Sequence, residues 1–119
     1  MGRKGFQDLI VWQKAKNLAV KIYGLTKSIK FEKDYGLRDQ IQRSAVSISS
    51  NIAEGDESGT NKSSTRYFYI AKASIAELQT QLIIANEIGY IENETKNTLL
   101  NDCSHISIML NKLIKIRCE

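Results

Sequence analysis

The residue types best suited to chemistry are few, and they lie close together. The chain has one histidine and two cysteines, and His105, Cys103 and Cys118 all fall in its C-terminal segment. Asp102-x-x-His105 is the nearest approach to the Glu-x-x-His pairs that hold two metal ions inside helical bundles. Such a centre needs two of these motifs and two further inward glutamates, which a single histidine rules out. Two thiols and one imidazole on one helix cannot close a tetrahedral zinc site either. Cys103 and Ser104 stand beside His105, but adjacent helical residues point in different directions, so neither pair has the geometry of a nucleophile and its base. Gly55-Asp56-Glu57-Ser58-Gly59 puts two carboxylates where a phosphate-binding loop would need bare amides. The expectation is a protein without catalytic residues, metal or cofactor, and not an enzyme.

A second constellation is richer. Gln40, Arg43, Ser47, Asn51 and Glu54 follow one another at spacings of three and four, a polar stripe lying about 110° around the helix from the apolar one. Groups placed at such a seam must be hydrogen-bonded or cost several kcal/mol in lost solvation. Ser74, Glu77 and Gln81 on the next segment offer partners at matching spacing. The stripe reads as a network fixing helix register or subunit geometry; the alternative is a ligand-facing surface lined by Arg43, Asn51 and Glu54.

Charge forms the third pattern. The net charge is +4, but residues 1–33 hold eight bases against Asp8 and Glu32, whereas residues 34–111 hold six bases against ten acids. The candidate cations for a polyanion are Lys14, Lys16 and Lys21, with Arg3 and Lys4 as an arm, and with Arg38, Arg43, Lys62, Arg66 and Lys72 adding to them. The same lysines also suit a plainly solvated helix face. No recognition helix, RNP aromatics or zinc finger is present, so any nucleic-acid binding would follow phosphate and shape and depend steeply on salt.

The elements that must position these groups all share the helical period. Apolar residues recur as Val11, Ala15, Leu18, Ile22, Leu25 and Ile29; as Leu37, Ile41, Ala45, Ile48 and Ile52; as Phe68, Ala71, Ile75, Leu78, Leu82 and Ala85; and as Leu99, Cys103, Ile106, Leu110 and Leu113. Lys33-Asp34-Tyr35-Gly36 breaks the first pair, and Gly55 to Asn61 the second, with Ser58, Thr60 or Asn61 available as a cap. Gly89 ends the third segment, and Asn93 can cap the fourth. The 119 residues therefore read as one all-α domain, an antiparallel up-down-up-down four-helix bundle with helices over roughly 7–30, 36–55, 61–88 and 93–117. The absence of proline suits long helices. Cys103 and Cys118 lie roughly 22 Å apart along one helix, too far for a bridge, which points to a reducing compartment. With no apolar run long enough to span a bilayer, the expected location is cytoplasmic. Trp12 and Tyr23 beside the first stripe, and Tyr67, Tyr69, Ile70, Ile83, Ile84 and Ile88 on the third segment, exceed what one seam needs, so self-association is expected.

Three stretches carry a family resemblance. These are Phe6-x-Asp8-Leu9-x-Val11-Trp12-Gln13-Lys14-Ala15, Tyr35-Gly36-Leu37-x-x-Gln40-Ile41-x-Arg43, and Arg66-x-x-Tyr69-Ile70-Ala71-x-Ala73-Ser74-x-Ala76-Glu77-Leu78-x-Thr80-Gln81-Leu82. With Asn51-Ile52-Ala53-Glu54-Gly55 they resemble the four-helix-bundle family encoded in intervening sequences of bacterial 23S ribosomal RNA genes, also labelled a ribosomal protein. The chain is similar, too, to the accessory variability proteins of diversity-generating retroelements. Ser58 stands where the family commonly has arginine, Gln42 where it has one of an arginine pair, and Ala73 where it has glycine. The resemblance implies a small bundle assembled as a homopentamer and, in the retroelement relatives, association with reverse transcriptase and nucleic acid. The functional expectation is a bacterial homo-oligomeric scaffold bound to RNA, DNA or a nucleic-acid-processing protein. The alternative is a protein–protein interaction module without nucleic-acid affinity.

Overall fold

The computed structural model describes residues 5–118. A 3-10 turn over Gly5–Asp8 leads into α1 (Ile10–Leu25), a one-turn α2 (Ile29–Glu32), α3 (Tyr35–Glu57), α4 (Asn61–Glu87) and α5 (Asn93–Cys118). The four long helices alternate in direction and form a square: α1 packs on α3 and α5, and α4 packs on the same two. The chain is thus an all-α bundle, about twice as long as it is wide at 45 × 22 × 22 Å.

Side-chain caps start α3 and α4. The Asp34 carboxylate accepts from the Leu37 N–H at 3.1 Å and caps α3. The Thr60 hydroxyl does the same for α4, accepting from the Ser63 N–H at 3.1 Å. At the far end of α4, the Tyr90 N–H returns to the Ala85 carbonyl at 2.8 Å and the Gly89 N–H to Asn86 at 3.0 Å. That closure needs a left-handed residue, and Gly89 supplies it at φ +85°. Asn93, the anticipated cap of α5, is its first residue instead, and its side chain accepts from Asn86 Nδ2 at 2.9 Å.

The first apolar stripe does not run through to Ile29. Thr26 turns its hydroxyl back onto the Ile22 carbonyl at 2.9 Å and accepts from Gln42 Nε2 at 2.9 Å, so its own side chain ends α1 and ties it to α3. The chain restarts at Ile29, which is 73% exposed, while Phe31 is buried and fills the end of the core. A hydrophobic residue two positions on has taken over the role the helical period assigned to Ile29. Phe31 meets Tyr90 edge to face at 5.2 Å, and Tyr90 donates its hydroxyl proton to Asp34 at 2.9 Å. That bond to a carboxylate raises the pKa of the Tyr90 phenol.

The other stripes converge as their spacing requires. Ile41, Ile48 and Ile52 of α3, Phe68, Leu78 and Leu82 of α4, and Ile106 and Leu110 of α5 are fully buried around Leu18 and Ile22 of α1. Each contributes roughly 2 kcal/mol of apolar burial. On α5 the seam ends on buried Ile114, with Leu113 only half-buried beside it. Among the described residues, no helix is long and apolar enough to cross a membrane.

Candidate functional site

The polar stripe of α3 borders α4, and one of its members, Ser47, meets an α4 residue its spacing pointed to. Ser47 Oγ and Ser74 Oγ are hydrogen-bonded at 2.9 Å across the two helices. Asn51 Nδ2 donates to the Ser47 carbonyl at 2.8 Å and to its hydroxyl at 3.0 Å. Beyond this cluster the helices part slightly into a groove of about 310 Å³ lined by Gln40, Arg43, Ser44, Ser47, Glu77 and Gln81. Gln81 is only 9% exposed, and its Oε1 has no hydrogen-bond partner among the described residues. A buried carbonyl left so costs about 1–3 kcal/mol until a donor reaches it. Glu54 lies farther along the same stripe, is exposed, and does not join the cluster. The stripe is therefore a network around Ser47, Asn51 and Ser74 continued by an open groove at Gln40, Arg43 and Glu77.

Beside the groove, α4 presents a ridge to solvent. Ala73, Ala76, Thr80 and Ile84 line its outer edge with Glu77 and Gln81, and Tyr69, Ile70, Ile83 and Ile88 are exposed around them. Five large apolar side chains of α4 and its C-cap, Tyr69, Ile70, Ile83, Ile84 and Ile88, are thus exposed. Of the two aromatics expected at a subunit contact on α1, Trp12 is half-buried and packs edge to face on Phe6 at 5.1 Å. Tyr23 is exposed and borders a separate cleft with Arg38 and Gln42.

At the α3–α4 corner, the Ala-Glu-Gly turn serves packing. Gly55 is buried against the Phe68 ring, and its carbonyl accepts from Ser64 Oγ at 2.6 Å and Ser58 Oγ at 2.9 Å. Arg117 from the last turn of α5 completes the corner. Its guanidinium donates to Ser64 Oγ at 3.1 Å, pairs with Asp56 at 2.9 Å, and lies over the Phe68 ring at 5.7 Å. Sequence reasoning missed this residue, because nothing in the periodicity of α5 shows that its end reaches residue 56.

The described candidate cations stand on α1, α3 and α4. Arg3 and Lys4 lie outside the described residues. Lys14 and Lys21 border a groove of about 290 Å³ between α1 and α5, facing Asp102 and His105. Lys21 pairs there with Asp102 at 3.0 Å. Lys16 donates at 2.9 Å to Asn17, which lines the same groove. Arg38 stacks over Tyr35 at 4.8 Å and pairs with Asp39 at 3.5 Å. Lys62 and Arg66 are exposed in the first turns of α4, Lys72 sits 5.9 Å from the Tyr69 ring, and Arg43 lines the α3/α4 groove. Lys14, Lys21 and the Asn17 that holds Lys16 thus share the α1/α5 groove, while the other described candidates stand on α3 and α4.

Cys103 is buried in the core next to this charged groove, and burial, with Asp102 adding to it, pushes its thiol up to about 12. It is a hydrophobic residue in practice. Among the described residues no group of three or more His, Cys, Asp or Glu side chains is placed to hold a metal ion.

Known proteins extend these observations. No curated protein matches the chain. A solved structure from Bacteroides thetaiotaomicron, a protein of unknown function from the S23 ribosomal protein family, is similar at 28% identity and a TM-score of 0.83, over 89% of this chain and 99% of that one. The model of the 23S rRNA-intervening sequence protein family matches residues 7–112, a span that takes in the Ser47–Ser74 cluster, the groove and the Ala-Glu-Gly corner. The chain belongs to the 23S rRNA-intervening sequence protein family.

Proposed function

We propose that this protein is a non-enzymatic, homo-oligomeric scaffold of the cytoplasm that assembles through the α3/α4 face and associates with nucleic acid through cations multiplied by the assembly. The observation that carries the assembly is the coincidence, on one face, of the exposed apolar ridge of α4 and a groove whose buried Gln81 carbonyl lacks a donor. Solvated surfaces rarely combine the two, and a covering subunit satisfies both. The family resemblance implies five subunits. Two placements support the non-enzymatic reading. Cys103 faces the core, while His105 faces solvent beside Lys14 and Asp102, so the residues best suited to act as nucleophile and base point apart.

Scattered cations give one subunit little hold on a polyanion, whereas copies arranged by symmetry act together through avidity. The same scatter favours the second reading, a protein–protein interaction module without nucleic-acid affinity. Sedimentation of the pure protein, followed by titration of a structured ribosomal RNA fragment and duplex DNA against salt, separates them. An oligomer that binds with a log–log salt slope of about −0.9 per phosphate engaged is the expected result. An oligomer that ignores both polymers at low salt establishes the interaction module instead, and a monomer overturns the assembly.

A further inference from the structure

The α3/α4 groove is incomplete in one subunit, and the chain itself carries a surface that fits it. The C-terminal half of α4, residues 73–87, holds Glu77 and Glu87 and no basic residue, with Arg43 of α3 the one cation lining the groove among the described residues, whereas α1 holds Lys14, Lys16 and Lys21 and no acid. Lys16, Val20 and Gly24 stand at spacings of four on the outward side of α1, all exposed, with Val20 at 65%. This stripe mirrors the α4 ridge: a small residue at the point of closest approach, an aliphatic beside it, and charge of the opposite sign. Gly24 has open space where a Cβ would stand, just as Ala73, Ala76 and Thr80 keep the α4 ridge low. Two low ridges let helix axes approach closely and bury the aliphatics between them.

Resting on the self-association argued above, we propose that the outward face of α1 of a second copy covers the α3/α4 groove, with its Lys16 ammonium donating to Glu77 and to the Gln81 carbonyl. The contact is heterologous, because the two patches differ, and it leaves one patch of each kind free for further copies. It supplies the missing donor at Gln81, neutralises Glu77, and covers Val20 and Ile84 together. Among the described residues Lys16 donates to its neighbour Asn17, so docking gives up one exposed intrasubunit bond.

The test is a charge swap read by sedimentation velocity on the full chain. Lys16→Glu and Glu77→Lys are each expected to weaken association about tenfold or more, and the double variant to restore it. Both positions are exposed, so circular dichroism and melting should match the wild type. Ala76→Arg, a steric block on the same ridge, is expected to weaken association equally. Single variants and Ala76→Arg that assemble like the wild type overturn this contact while leaving self-association standing. A double variant no better than the singles overturns the Lys16–Glu77 pairing. A monomeric wild type overturns the assembly itself.

Discussion

The ring of Phe68 occupies the space where a side chain at Gly55 would begin: a Cβ there would lie 2.5 Å from Phe68 Cε1 and 3.1 Å from the Ser64 carbonyl. In an open helix, replacing glycine by alanine stabilises by about 0.5–1 kcal/mol. Here the overlap outweighs it, because Phe68 is fully buried and has nowhere to go. Gly55→Ala is expected to destabilise the bundle by roughly 2 kcal/mol, read as a lower urea midpoint with unchanged slope.

The Arg117–Asp56 pair joins the end of α5 to the α3–α4 corner, and the Asp56 side chain is only 1% exposed. Removing the guanidinium strips a buried carboxylate of a charged partner and leaves Ser64 one donor short. Arg117→Ala should cost about 2–3 kcal/mol, more than the ~1 kcal/mol or less of an exposed pair such as Arg38–Asp39. Thermal melts of Arg117→Ala and Arg38→Ala side by side check the ranking, and equal losses would contradict it.

Cys103 and Cys118 should differ sharply toward a thiol reagent. With its thiol pushed up to about 12, buried Cys103 is expected to stay unmodified in the native protein, while exposed Cys118 reacts at once. Full modification should appear only in denaturant. The linkage has a definite sign. Because the folded thiol holds its proton more tightly than the unfolded one, this contribution is complete below the ordinary cysteine value of 9.0 and is lost as pH climbs toward about 12. Urea midpoints measured across that alkaline range should fall, and a Cys103→Ala variant should lack this component of the fall.

Asn51 and Glu54 share the polar stripe, but only Asn51 is bonded within it. Asn51→Leu removes two donations to Ser47 and is expected to lower stability by about 1 kcal/mol. Glu54→Leu, at an exposed position outside the cluster, should leave the melting temperature unchanged. A matching loss in both would mean that the network extends farther along α3 than Asn51.

Much of this architecture can be read from the period of the apolar residues alone. The stripes of α3 and α4 became core positions because both helices run unbroken along the bundle, where a spacing of three and four is enough to place each side chain. The same spacing aligned Ser47 with Ser74. It failed at Ile29, where the Thr26 hydroxyl competes with the backbone and ends α1 early, so that Phe31 fills the core end. It also failed at Arg117, whose role depends on where α5 terminates relative to a corner sixty-one residues earlier in the chain. The unpartnered carbonyl of Gln81 was out of reach as well, since spacing can nominate a partner without showing whether the distance closes.

The corner that holds Arg117 also holds the other end of the described chain. A Cβ at Gly5 would lie 2.6 Å from Glu57 Oε1, while Arg117 is bonded to Asp56 one residue away. The described chain is therefore nearly a closed circuit, its first and last turns meeting at one pole and the Lys33–Asp34 and Gly89–Tyr90 turns at the other. A short linker joining residue 118 to residue 5, with new ends opened in the exposed turn at Gly89, would redraw the order of the helices and leave every side of the square in place. Chain extending outward from residue 5 or residue 118 would start at that same pole, clear of the long sides along which copies are proposed to meet.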